Sequence, residues 1–337
     1  MANCTKLFGE FNKEITPSVE QMQKMKTSRE ALESKISDVI QEKYGMTASY
    51  YTQGSGAQQM KIIIIKANGT YDADRGIYLP EQPEVSAKTV QEDVLDAVKD
   101  HTDGGAEHRR KCIRVLYKCA YNIDFPVYYE AAGESFAYLA TKDNGWIKDD
   151  PSMMIEWFGE YKDDDGQLLR IVKYLKAWAS ERSFKMPSGI ALTVWAARYF
   201  ISVANRDDMC LVQVLTAIQR AILLSVKCIS PVEPFDDLTS KLTDDQKKKF
   251  KNALADFCVD AQKAIDSENQ LEASRIWRKY LGGRFPEGLD ENVDRKANLL
   301  MAPASAVLGQ TARLDRGGVI NQSAGIKHFT HRNYGGE

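Results

Sequence analysis

The sequence is short of several features that usually announce a function. Its 45 Lys and Arg stand against 47 Asp and Glu, a formal charge of -2. No global basic field therefore favours non-specific binding to a nucleic-acid polymer. The six cysteines (Cys4, Cys112, Cys119, Cys210, Cys228, Cys258) are scattered and form no CxxC pair, and no His/Cys spacing matches a zinc site. Buried free thiols in a reducing cytosol are the expectation. No run approaches the ~20 apolar residues of a membrane span, and the opening MANCTKLFGEFNKEI lacks the apolar core of a signal peptide. The expected location is cytoplasmic, with no membrane partner. There is no internal repeat.

What is present divides by periodicity. Residues 16–44 predict one long amphipathic helix, with Pro17 in its first turn and Met22, Met25, Leu32, Ile36, Val39 and Ile40 at helical spacing. The aromatic stretch TASYYTQ predicts a strand, and the β-branched run MKIIIIKA predicts a buried one. Asn68-Gly69 then predicts a turn into the strand DADRGIYL. A helix over 86–101 and two strands, CIRVLYKCA and YNIDFPVYYE, complete a mixed α/β lobe. From about Asp163 the periodicity is helical throughout. The expected organisation is an α+β protein of two lobes: residues 1–160 with the long N-terminal helix, then a helical lobe over 161–295. Composition beyond about 303 favours Gly, Ala, Ser and Gln, so the tail over 296–337 is expected to be mostly disordered.

Four local patterns carry chemistry. Asp72 and Asp74 lie two apart on a strand, so their carboxylates point to one side and repel each other unless a cation sits between them. Asp124 is a single carboxylate in the apolar strand NIDFPVYY, costly unless it is paired or metal-bound. Three such oxygen donors on neighbouring strands suit Mg²⁺. Gly54-Ser55 follows an aromatic strand and lets backbone N–H groups approach a phosphate. On QLLRIVKYLKAW, Arg170 and Lys173 point off the apolar stripe and are expected to face a cleft, while Ser188, after Lys185, is expected to cap the next helix. Each pattern has a plainer reading. A DxD pair also occurs in solvated turns, GSG in flexible loops, a lone lysine and cap on any surface, and Asp124 can equally pair with a buried Arg or Lys.

Taken together and in this order, the patterns resemble the cGAS/DncV-like nucleotidyltransferases, by motif over about residues 45–200 and by helical pattern to about 290. DADRGIYLP and YNIDFPVYY look especially like the bacterial enzymes that make cyclic oligonucleotides in antiphage (CBASS) defence. The resemblance implies a two-lobed, polymerase-beta-like fold and a cyclic di- or oligonucleotide synthase that releases pyrophosphate. It implies that Asp72, Asp74 and Asp124 are catalytic and hold two Mg²⁺ ions (or Mn²⁺), and that Gly54, Ser55, Lys173 and Ser188 bind the donor triphosphate. The implied partners are NTPs (ATP, GTP), an effector that binds the product, and an E1/E2-like protein acting on the C-terminal tail. No nucleic-acid activator is expected. GAQQMKIIII lacks a threonine that many relatives carry, and Arg75 stands where close relatives often have an acidic or small polar residue. Two other readings remain open: a linear, oligoadenylate-type synthase, and a catalytically silent nucleotide-binding protein of the same fold.

Overall fold

A computed structural model describes residues 2–290 except 119, 132 and 135, together with the pairs 313–314, 320–321 and 326–327. The expectation for the tail over 296–337 lies outside the described residues apart from those pairs, which form the short antiparallel strands β9 (Arg313–Leu314), β10 (Ile320–Asn321) and β11 (Ile326–Lys327).

The first lobe is built on an eight-stranded sheet. Its central strand β2 (Tyr71–Leu79) has β1 (Ser49–Gln53) antiparallel on one edge. On the other edge, β5 (Tyr121–Phe125) and β6 (Val127–Glu130) run parallel to it in a single register. Pro126, which has no N–H to give to a ladder, splits the predicted strand YNIDFPVYYE at that point. The sheet continues through β4 (Ile113–Tyr117) to β3 (Ala106–His108) on one side and through β7 (Ala137–Thr141) to β8 (Gly145–Lys148) on the other. The sequence reading did not include β3, β7 or β8.

Alternation decides which face is which. Tyr71, Ala73, Ile77 and Leu79 of β2 enter an apolar core with Leu32, Ile36 and Ile40 of α2 (Val19–Tyr44) and Val90, Val94 and Val98 of α3 (Ala87–Val98). Asp72 and Asp74 are thereby turned to the opposite face. Helix α2 starts later than predicted. Ser18 accepts from Gln21 N at 3.1 Å while Gln21 Oε1 accepts from Ser18 N at 2.8 Å, so a capping box sets the first turn and leaves Pro17 ahead of it. Helix α3 ends at Val98, short of the predicted residue 101.

The second lobe comprises α5 (Gln167–Ser180), α6 (Gly189–Tyr199), α7 (Asp207–Ala221), α8 (Asp244–Asp266) and α9 (Gln270–Leu281), around buried Trp178, Trp195, Phe250, Phe257 and Trp277. Two helices outside the sequence reading join this core: α1 (Thr5–Glu14) and α4 (Pro151–Gly159). Phe8 of α1 makes edge contacts with Tyr174, Trp277 and Phe285 at 4.9–5.0 Å. Met154 and Phe158 of α4 lie in the same cluster. The division between the cores therefore differs from a single cut at residue 160, because both ends of the first lobe's sequence are spent on the second lobe's core.

MKIIIIKA is not a strand. Ile62 and Ile64 enter the helical core and Ile63 enters the sheet core, so the run is a seam between the lobes. Its backbone is satisfied from elsewhere: Ile62 N donates to Ser55 O at 2.9 Å, Ile65 N to Ile15 O at 2.7 Å, and Lys176 Nζ donates to Ile62 O at 2.8 Å. Burying each isoleucine contributes roughly 2 kcal/mol without any ladder bond. The β-branched pattern reports burial, and burial does not require a sheet. No helix among the described residues is long and apolar enough to cross a membrane. Cys4, Cys210, Cys228 and Cys258 are buried and Cys112 is partly buried, none of them in a disulfide.

Candidate active site

The site is assembled on the open face of the sheet by register. Asp74 is paired across β2 with Asp124 of β5 on one side and with Gln53 of β1 on the other, and Asp72 is paired with Asn122. All three carboxylates thus share one face, as the sequence predicts. The Gly54–Gly56 turn follows Gln53 directly, and Gly54 has φ +56. A Cβ built there would overlap Asp74 Oδ2, so only glycine lets the turn lie against the carboxylate.

Each carboxylate has a different environment. Asp72 accepts from Lys66 Nζ and from Asn122 Nδ2 at 2.8 Å, with Arg114 Nη1 3.7 Å away. Burial pushes its pKa up, but these donors and charges outweigh burial and hold it below the ordinary value. Asp124 is buried and held by Arg114 of β4 through a fork, Nε to Oδ1 at 2.6 Å and Nη2 to Oδ2 at 2.5 Å. Of the two readings left open for Asp124, the structure shows the arginine partner, and Arg114 is itself raised by Asp124 and Asp72 against the effect of burial. Asp74 has no hydrogen-bond donor among the described residues. Burial, then Asp124 and Asp72, push it up to about 7, against the pull of Lys176 and Arg114.

Lysines complete the site from α5. Lys173 is buried, donates to Thr16 Oγ1 at 3.1 Å, and is lowered by burial and then by Arg170. Lys176, one turn on and absent from the sequence reading, is brought down to about 8 by burial, with Asp74 and Asp72 pulling the other way and Lys66 and Lys173 adding to the fall. Its signal was available, since residues three apart on a helix share a face. Ser188 caps α6, accepting from Ala191 N at 3.3 Å. A Cβ on the adjoining Gly189 would lie 3.4 Å from Lys176 Cε, which puts the N-terminus of α6 beside that lysine.

Arg170 does not face the cleft. Its guanidinium grips Asp207 through Nε at 2.7 Å and Nη2 at 2.9 Å, because α7 presents a buried carboxylate there. Lys185 instead donates to Lys241 O at 3.0 Å.

The donor chemistry suits a hard divalent cation: three carboxylates on one face, one of them without a donor and raised by its neighbours. In the structure Arg114 and Lys66 supply the positive charge, and no three His, Cys, Asp or Glu side chains among the described residues converge on one point as a metal cage.

Residues 48–128, from just before β1 into β6, match the family described as cyclic GMP-AMP synthase DncV-like, nucleotidyltransferase domain. A cyclic AMP-AMP-AMP synthase from an Acinetobacter species is 24% identical over 173 residues, 49% of this chain and 50% of that protein, so the match spans half the relative's length. Among solved structures, the Vibrio cholerae DncV cyclic AMP-GMP synthase, described as a prokaryotic cGAS homolog, superposes with a TM-score of 0.73 at 16% identity. It covers 85% of this chain and 98% of that one. The same Vibrio cholerae enzyme in complex with the linear intermediate 5′ pppA(3′,5′)pG gives 0.72 at 16% identity, over 85% and 97%. The fold is the two-lobed nucleotidyltransferase fold that the sequence predicts.

Proposed function

We propose, for a chain whose residues 48–128 belong to the DncV-like nucleotidyltransferase family, that it joins NTPs into a cyclic di- or oligonucleotide with release of pyrophosphate. The observation that carries the reading is the register that sets Asp74 beside Asp124 and under the Gly54 turn, with Lys66 paired to Asp72 and Lys176 interacting with Asp74 and Asp72. Asp72, Asp74 and Asp124 would hold divalent cations, Mg²⁺ first and Mn²⁺ as a substitute. Such ions neutralise a triphosphate and acidify an acceptor hydroxyl. The chain's own part is electrostatic and positional. Gly54 and Ser55 offer the turn backbone and a hydroxyl to the phosphates. Lys173 and Lys176 offer positive charge, and the α6 N-terminus capped by Ser188 adds its dipole. Lys176, lowered to about 8, is already mostly charged at neutral pH, and an entering phosphate would hold that charge.

The resemblance extends the proposal to a second messenger of antiphage signalling read by an effector, to a cytoplasmic location, and to an E1/E2-like partner acting on the tail. Residues beyond about 303, with Gly335 and Gly336 near their end, would serve that partner and be dispensable for synthesis. The test is to incubate the purified protein with the four NTPs and Mg²⁺, then identify phosphatase-resistant products by mass and by nuclease digestion. A cyclic product lost with EDTA is expected; only linear products would return the oligoadenylate-type reading. No turnover of any NTP would return the silent one.

A further inference from the structure

Beyond Asp74 the same face of the sheet opens into a cavity of about 660 Å³ that none of the chemistry above uses. It begins at Gln53, the cross-strand partner of Asp74, and runs past Tyr51 and Tyr78 to Glu130, Phe136 and Asp150. It thus begins beside Asp74 and runs towards the end of β2 away from Lys66, which holds Asp72. Among the described residues none of those lining it is cationic, and Lys148, over the Phe136 ring, is paired with Glu233. A phosphate would meet only carboxylates there, so the ligand part that suits it is flat, apolar on its faces, and a hydrogen-bond donor at its edge.

Three carboxylates line the cavity, and two are committed. Asp150 caps α4, accepting from Ser152 N at 2.9 Å and Ser152 Oγ at 2.7 Å, and Glu134 accepts from Tyr138 OH at 2.5 Å. Glu130 is exposed, and its carboxylate takes no hydrogen bond or ion pair among the described residues. The aromatic rings divide the same way. Tyr78 is stacked on Tyr128 at 4.8 Å and its hydroxyl accepts from Gln53 Nε2 at 2.6 Å, whereas Tyr51 is 55% exposed and touches Tyr78 only edge-on.

We infer that this cavity receives the base of a guanine nucleotide, stacked on Tyr51 and read by the Glu130 carboxylate. The inference rests on the reading of the neighbouring carboxylates as a nucleotide-joining site, and adds the base. Guanine presents N1–H and the N2 amine side by side, two donors that one carboxylate accepts as a pair. Adenine sets an acceptor nitrogen beside its amine, so the same carboxylate meets one donor and one repelling lone pair. Stacking on a tyrosine ring favours any purine, and the edge contact makes the choice.

Calorimetric titration of the full-length protein with guanosine, inosine and adenosine tests this. Guanosine should bind about tenfold tighter than adenosine, the scale of one hydrogen bond to a charged group, and inosine, without the N2 amine, should fall between. Glu130→Gln should weaken guanosine about tenfold and strengthen adenosine, because the amide offers N1 a donor where the carboxylate repelled its lone pair, while Tyr51→Ala should weaken all three. Both side chains are exposed, so unchanged melting temperatures are expected of both variants. Guanosine binding that is absent, or equal in wild type and Glu130→Gln, overturns the inference. Pyrophosphate release from NTP mixtures separates it from the parent reading. Release with Glu130-independent guanosine binding removes only the base site. Glu130-dependent binding without release removes only the synthase.

Discussion

Two buried or half-buried aspartates, one in each lobe, show how the same side chain is used in opposite ways. Asp207 of α7 is 3% exposed and fully answered: Arg170 forks onto it, Gln167 Nε2 donates at 3.0 Å and Tyr174 OH at 2.9 Å. Asp74 of β2 has no donor, two carboxylate neighbours, and a pKa raised to about 7. One site spends four hydrogen bonds to make a charge harmless. The other assembles like charges and leaves one unanswered, at a cost to the isolated fold that a cationic ligand would relieve. The difference separates a carboxylate that holds structure from one to which the proposed function gives the chemistry.

Exchanging the two groups for amides is the strongest way to break the comparison. Asp74→Asn should reduce NTP turnover on the order of a thousandfold while leaving the melting temperature unchanged or higher, because it removes repulsion along with the cation-binding oxygen. Asp72→Asn should lose turnover similarly but lower the melting temperature, because Lys66 loses its ion pair. Wild-type turnover in the double variant would remove both residues from the site. Asp207→Asn should do the reverse. It strands the Arg170 guanidinium at a cost of roughly 3 kcal/mol, read by chemical denaturation, with activity per folded molecule retained. A pH series sharpens the contrast. The folded pKa of Asp74, about 7, lies above its ordinary 3.8, so between these values the native state holds a proton that the unfolded chain has released. Asp74's own contribution to metal-free stability should therefore be greatest below about pH 4 and be lost as the pH rises towards about 7, while Asp72, held low, contributes in the opposite sense in acid. Melting curves in EDTA should show the Asp74 contribution as the difference between wild type and Asp74→Asn, growing in favour of the variant from about pH 4 to about 7.

Smaller effects belong to the residues around the carboxylates. Lys176→Ala and Lys173→Ala should each raise the apparent KM for NTP about tenfold, the loss of one charged hydrogen bond; steady-state kinetics with each NTP checks this, and an unchanged KM would leave the lysine a structural role. Ser188→Ala should cost about 1 kcal/mol in unfolding free energy through the lost cap, with a slighter rise in KM.

How much of this was legible depended on whether the deciding contact was local. The face shared by Asp72 and Asp74 follows from alternation alone, and the Ser188 cap from the order of residues around it. Arg114 pairs with Asp124 across two strands ten residues apart, so the sequence could state only that Asp124 needs a partner. Arg170 satisfied the rule for leaving the apolar stripe, yet the carboxylate it meets arrives from 37 residues away. Helix α1 carries its pattern in three buried residues, Leu7, Phe8 and Phe11, too few to be told from a polar leader without the core that receives them. MKIIIIKA misled for a physical reason. Alternate burial into two different cores gives the same residue pattern as burial on both faces of a sheet.

That isoleucine seam bears on how the molecule comes apart. Ile63 belongs to one core and its neighbours to the other, the chain's first helix lies in the lobe farthest from it in sequence, and Arg284 Nη1 reaches back to Ile65 O at 2.7 Å. Neither lobe can lose its packing without stripping a surface from the other. Scanning calorimetry should accordingly find a single cooperative endotherm, with van't Hoff and calorimetric enthalpies that agree, where a chain of two independent lobes would give two. A protein stitched in this way should show no half-denatured intermediate in which the sheet persists alone, and expressing either lobe by itself should yield insoluble or unfolded material.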